Sequence, residues 1–74
     1  MKSVVHNTID DLPLTTREAA AFLGLSPKTL EAWRLKQGEG PVFLRYGSRA
    51  VRYLVEDLRR WRAEHAIPQQ TKGV

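Results

Sequence analysis

The sequence contains no cysteine in 74 residues, which removes disulfides and thiolate metal sites from the means of holding so short a chain together. Histidine is scarce as well. His6 and His65 stand too far apart in sequence to make a closed zinc site between them. There is no apolar run near the roughly 20 residues that span a bilayer, and no signal-peptide pattern. No Ser-His-Asp set or phosphate-cradling glycine loop is present, and Asp10-Asp11 and Glu56-Asp57 are adjacent rather than facing pairs. These absences argue against an enzyme, and against a metal ion, a cofactor or a membrane as partner. The expectation is a soluble cytoplasmic protein whose single domain, near the lower size limit for an unstapled core, stands on packing alone.

What the sequence does have is positive charge. Twelve Lys and Arg against eight Asp and Glu leave a net charge of +4 and a pI near 10.0. That balance suits a polyanion, and would also suit an acidic protein or a membrane surface. The distribution is more informative. Residues 1–13 carry Lys2 against Asp10 and Asp11, whereas residues 26–53 carry Lys28, Arg34, Lys36, Arg45, Arg49 and Arg52 against only Glu31 and Glu39. The excess lies mid-chain.

Residues 1–13 mix isolated apolar and polar positions without a sustained period, and read as an arm that is either disordered or lays one short strand on the body. Thr15 and Glu18 then have capping-box spacing, with Leu14 placed to staple onto the following turn. Ala19, Ala20, Phe22 and Leu23 supply an apolar face, and Gly24 is a left-handed stop. A second helix starts at Ser26-Pro27, a serine cap followed by proline at the first helical position, and is expected to run to about Lys36. Leu30, Trp33 and Gln37 fall on one side of it, and Lys28, Thr29, Glu31, Ala32 and Lys36 toward the other.

The cluster Gln37-Gly38-Glu39-Gly40-Pro41 is a turn, and residues 42–46 and 50–53 read as strands joined across Gly47-Ser48-Arg49. Alternation is expected to place Leu44, Tyr46, Val51 and Tyr53 on one face and Arg45 and Arg52 on the other, with Phe43 an exposed exception or an edge contact. A third helix over residues 55–65 turns Leu58 and Trp61 inward and Arg59, Arg60 and Arg62 mostly outward. Residues 66–74, with Pro68, read as a flexible tail. The division is therefore an arm (1–13), a folded domain of three helices and a hairpin (14–65) and a tail (66–74).

Two short helices joined by a glycine turn, the second capped by Ser-Pro, make a helix-turn-helix. In that motif the start of the second helix enters the major groove, where each base pair shows its own pattern of donors and acceptors. Lys28, Thr29, Glu31, Ala32 and Lys36 are the expected readers. Lysine can donate to guanine or phosphate, threonine and alanine can meet a thymine methyl, and glutamate can accept from cytosine. Ser26, Arg34, Arg45, Ser48, Arg49 and Arg52, on the helix cap and end and along the hairpin, are expected at the DNA backbone or minor groove. The hairpin shifts the balance toward DNA, since helical hairpins alone serve many structural roles.

Several residues carry blander readings. Trp33 and Trp61 lie at helical spacing beside Leu30 and Leu58, and read as core rather than base-stacking platforms. Glu56 precedes Arg59 and Arg60 by three and four residues, so that stretch reads as a solvated face with weak ion pairs. His65, near a helix end, reads as a surface residue compatible with the dipole.

The combination of Leu14-Thr15-Thr16-Arg17-Glu18-Ala19-Ala20, Gly24-Leu25-Ser26-Pro27-Lys28-Thr29-Leu30, Gly40-Pro41, Tyr46-Gly47-Ser48-Arg49-Ala50-Val51-Arg52-Tyr53, Glu56-Asp57-Leu58 and Trp61 resembles the excisionase and AlpA-type family of small MerR-like winged helix-turn-helix proteins. The resemblance covers roughly residues 14–64. It implies a mainly α fold with a small β-hairpin and a DNA-binding protein of a phage or mobile element, associated with the bacterial nucleoid. Such a protein would act as a recombination directionality factor beside an integrase-type recombinase, as a transcriptional regulator, or as both, with head-to-tail self-association on double-stranded DNA. A protein-interaction adaptor or antitoxin-like module is the remaining alternative, disfavoured by the wing arginines. One departure is Leu54-Val55, where the family often has polar or charged residues. It leaves open how the third helix is capped and what covers its start.

Overall fold

The computed structural model describes residues 12–68. Residues 1–11 and 69–74, which hold nearly all of the expected arm and most of the expected tail, lie outside that range. In chain order the elements are β1 (Pro13–Leu14), α1 (Thr16–Leu23), α2 (Pro27–Arg34), β2 (Leu44–Tyr46), β3 (Ala50–Leu54) and α3 (Val55–His65). Three helices and a small antiparallel sheet make a winged helix-turn-helix fold.

Local chemistry sets both ends of α1. The Thr15 hydroxyl accepts from the Glu18 amide at 3.1 Å while the Thr15 amide donates to Glu18 Oε1 at 2.9 Å, a complete capping box. At the far end Gly24 takes φ 75°, and the Leu25 amide reaches back to the Ala20 carbonyl at 2.8 Å, the Schellman arrangement that only a residue tolerant of the left-handed region allows at no steric cost. Ser26 caps α2 through the Thr29 amide at 3.3 Å, with Pro27 in the first turn.

α2 ends two residues earlier than expected, at Arg34. The Lys36 amide bonds to the Trp33 carbonyl, a tightened i→i−3 turn, and Gly38 and Gly40 then adopt positive φ. Gln37, expected on the inner side of the helix, is exposed in this turn.

The core is Ala19, Ala20, Leu30, Val51, Tyr53 and Leu58, with Leu14, Phe22, Leu23, Trp33 and Phe43 packed against it. Alanines at the α1 contact let α2 and β3 approach closely, and Leu30, Tyr53 and Leu58 fill the space between elements. Of the two tryptophans expected in the core, Trp33 packs against it, while Trp61 is half-buried and lies against Trp33, ring centroids 5.4 Å apart. Trp61 also stacks on His65 at 4.7 Å, and the Trp61 carbonyl lies 2.9 Å from His65 Nδ1.

β3 is the central strand, with the order β1-β3-β2. Pro13–Leu14 therefore belongs to the folded body, pairing Pro13 with Leu54 and Leu14 with Tyr53. This strand also settles how α3 begins. Leu54 supplies no side-chain cap; the Val55 amide donates instead to the Leu12 carbonyl at 3.3 Å, and Val55 is buried. Chain from the N-terminal side covers the apolar start of α3, so no polar cap is needed there.

The hairpin faces differ from the expected ones. Leu44 pairs with Arg52, Arg45 with Val51 and Tyr46 with Ala50, and directly paired residues point to the same face of a sheet. The three-residue loop 47–49 makes residues of equal parity partners, so Arg45 shares the inner face with Val51 and Tyr53. Arg52 shares the outer face with Leu44 and Tyr46, the last of which is half exposed. Phe43 packs against the core, its ring 6.0 Å from that of Tyr53. The expected grouping slipped β2 by one residue relative to β3, which exchanges its two faces.

Candidate nucleic-acid interface

The outward side of α2 begins two residues after its Ser26 cap. Lys28, Glu31 and Ala32 are exposed, and Lys28 and Glu31 make no hydrogen bond or ion pair with other described residues. The buried Leu30 fixes this orientation, anchoring the opposite side of the helix in the core. Thr29 is half-buried with its hydroxyl 3.1 Å from Ser26 Oγ. Ser26 is correspondingly committed to the cap. Lys36 is exposed but stands on the turn beyond the helix, apart from the helical row it was expected to continue. Leu35, at the helix end, is the most exposed large apolar side chain of the described residues.

The wing, β2 and β3 with the loop 47–49 between them, follows α2 in the chain. Ser48 and Arg49 form its exposed tip, and Arg49 has no partner among the described residues. Arg52 is half-buried and donates from Nη1 to the Val51 carbonyl at 2.8 Å. Arg45 is exposed, its guanidinium 5.7 Å from the centre of the Phe43 ring.

Arg34 is placed unlike the other cations. It is half-buried, and its Nη1 donates to Thr16 Oγ1 and to Tyr53 Oη, each at 3.0 Å. It thus ties the end of α2 to the start of α1 and to the central strand. Phe43, Thr16 and Tyr53 were not among the expected site residues. Counting the hairpin loop would have turned Phe43 inward, but no local signal identifies Thr16 and Tyr53 as acceptors for Arg34.

The remaining arginines behave as expected of a solvated helix face. Arg60 pairs with Glu56 at 2.9 Å and with Asp57 at 3.4 Å, exposed contacts of little energetic weight. Arg62 lies 5.1 Å from the Phe22 ring. Among the described residues no cluster of three metal-ligating side chains occurs, and no helix is long and apolar enough to cross a membrane.

A short capped helix with an outward polar face, preceded by a glycine-turned partner and followed by a basic hairpin, is the geometry of a DNA-reading unit. A family model described as a helix-turn-helix domain matches residues 13–66. The chain belongs to the helix-turn-helix domain family. That family includes excisionase- and AlpA-like DNA-binding proteins. Among curated proteins, no relative matches the chain. The matched span of this helix-turn-helix protein opens at Pro13, the first residue of β1, so β1 lies inside it, while Leu12, whose carbonyl accepts from the Val55 amide, stands just before it.

Proposed function

We propose that this helix-turn-helix protein recognises a specific double-stranded DNA site, with the first turns of α2 in the major groove and the β2–β3 wing on the flanking backbone. Bending attachment-site DNA, it would favour excision of a mobile element by an integrase-type recombinase. The observation that carries the DNA reading is the outward row Lys28, Glu31 and Ala32, held out by the buried Leu30, together with an exposed Arg49 at the wing tip that has no partner among the described residues. The excision reading draws its support from the sequence resemblance set out above. Head-to-tail assembly on neighbouring sites and a place on the bacterial nucleoid go with it, because one small domain covers too few base pairs for strong selectivity against a genome.

Two substitutions separate reading from holding. Lys28→Ala should alter the preference among single-base variants of the site, at about 1–3 kcal/mol for a good base contact. Arg49→Ala should instead weaken binding to all sequences alike and lower the log–log salt slope by about one. Competition binding at several salt concentrations distinguishes them. A Lys28→Ala protein with unchanged preference at every position removes α2 as the reader.

The excision reading is tested by mapping occupied sites in the native genome. Occupancy within an attachment site next to an integrase gene supports it, whereas occupancy confined to promoters makes the protein a transcriptional regulator. An absence of DNA occupancy leaves the adaptor reading.

A further inference from the structure

Two guanidinium groups converge on one ring. Arg34 lies 5.8 Å and Arg45 5.7 Å from the centre of Phe43, one arriving from the end of α2 and the other from β2. Neither pairs with a carboxylate among the described residues. A single cation over an aromatic ring is a common packing arrangement. A second like charge brought to the same ring adds repulsion, which an anion held between the two would offset.

Arg34 is also prepared for such an anion. Both Nη1 hydrogens are engaged by neutral oxygens, Thr16 Oγ1 and Tyr53 Oη, so the orientation of the planar group is fixed. Its Nη2 and Nε donors have no hydrogen-bond partner among the described residues. A guanidinium fixed along one edge and open along another loses little further freedom when it binds an oxyanion with the open edge. Arg45 is exposed and supplies a second fork from the opposite element.

We propose that Arg34 and Arg45, gathered on Phe43, form one binding site for a single phosphate of the DNA backbone, joining α2 to the wing on the same strand. The site rests on the reading of this chain as a DNA-binding protein. Its consequence is that α2 and the wing are set in register by a shared phosphate rather than by independent contacts.

The test uses the full chain and a mixed-sequence duplex of about 20 base pairs, since phosphate contacts supply non-specific affinity. Binding is measured against salt for the wild type, Arg45→Gln, Arg34→Gln and the double variant. Arg45 is exposed, so its replacement leaves folding intact; because Arg34→Gln can disturb the fold, Arg34→Lys is added, which keeps the charge but not the fork. The double variant should bind about tenfold more weakly or worse, with a salt slope reduced by about one. Arg45→Gln should weaken binding less in the Arg34→Lys background than in the wild type. A double-variant slope lower by about two, an unchanged slope, or equal losses from Arg45→Gln in both backgrounds overturns the shared site while leaving DNA binding in place. A wild type that does not bind the duplex overturns both.

Discussion

Leu30→Ala is expected to leave the chain largely unfolded at room temperature and unable to bind DNA. Leu30 is fully buried and is the one buried residue of α2, where it meets Ala19 and Ala20 of α1 and Leu58 of α3 in the core. Truncating a buried leucine costs about 2–5 kcal/mol, because the lost transfer energy is joined by the cavity left behind. A single core in a domain this small supplies only about 3–5 kcal/mol of net stability, so the loss is comparable to the whole. The alanines beside the site have no longer side chains with which to fill the void. Far-UV circular dichroism through a urea titration measures the effect, with Lys28→Ala as the control that should keep the wild-type midpoint. A Leu30→Ala chain that still unfolds cooperatively with a loss below about 1 kcal/mol would contradict the cavity argument. If it folded but failed to bind DNA, the anchor would act on the orientation of α2 rather than on stability.

The contrast between α1 and the wing shows which features can be read without a structure. The capping box of Thr15 and Glu18, the stop at Gly24 and the Ser26-Pro27 start involve partners within five residues, so spacing alone specifies them. The outward row on α2 follows from the same local periodicity once Leu30 is taken as the anchor. Hairpin faces depend on a count across the loop, and an error of one residue put Leu44 on the inner face in place of Phe43 and turned Arg45 outward, whereas the pairing brings Arg45 to the side of Val51. Arg34 was further out of reach. Its direction is decided by Thr16 and Tyr53, 18 and 19 residues away, and a basic residue near a helix end gives no sign of such partners. The cover over Val55 likewise comes from Leu12, distant in sequence. Lys36 was misplaced for a milder reason, since helix ends are the least sharply specified part of a periodic pattern.

Gly40→Ala is expected to destabilise the fold by about 2–4 kcal/mol, from a left-handed backbone worth about 1 kcal/mol and an overpacking penalty of about 1–3 kcal/mol. Gly40 has φ +77°, and a Cβ there would lie 3.0 Å from both Cβ and Cε3 of Trp33. The first of these atoms is fixed to the α2 backbone, and the ring is restrained by Trp61 on another side, so neither can swing away cheaply. Gly24 gives the matched comparison. Its φ is +75°, but an added Cβ meets nothing within 4 Å, so Gly24→Ala should carry the backbone cost of about 1 kcal/mol alone. The difference between the two unfolding free energies isolates the contact with Trp33 from the strain they share. Gly40 also sits on the connection between α2 and β2, three residues before Phe43, so relief of the clash would shift the wing against the helix. DNA affinity of the folded fraction should therefore fall for Gly40→Ala and hold for Gly24→Ala. Equal destabilisation by the two substitutions would mean that Trp33 yields freely and that this turn does not fix the wing.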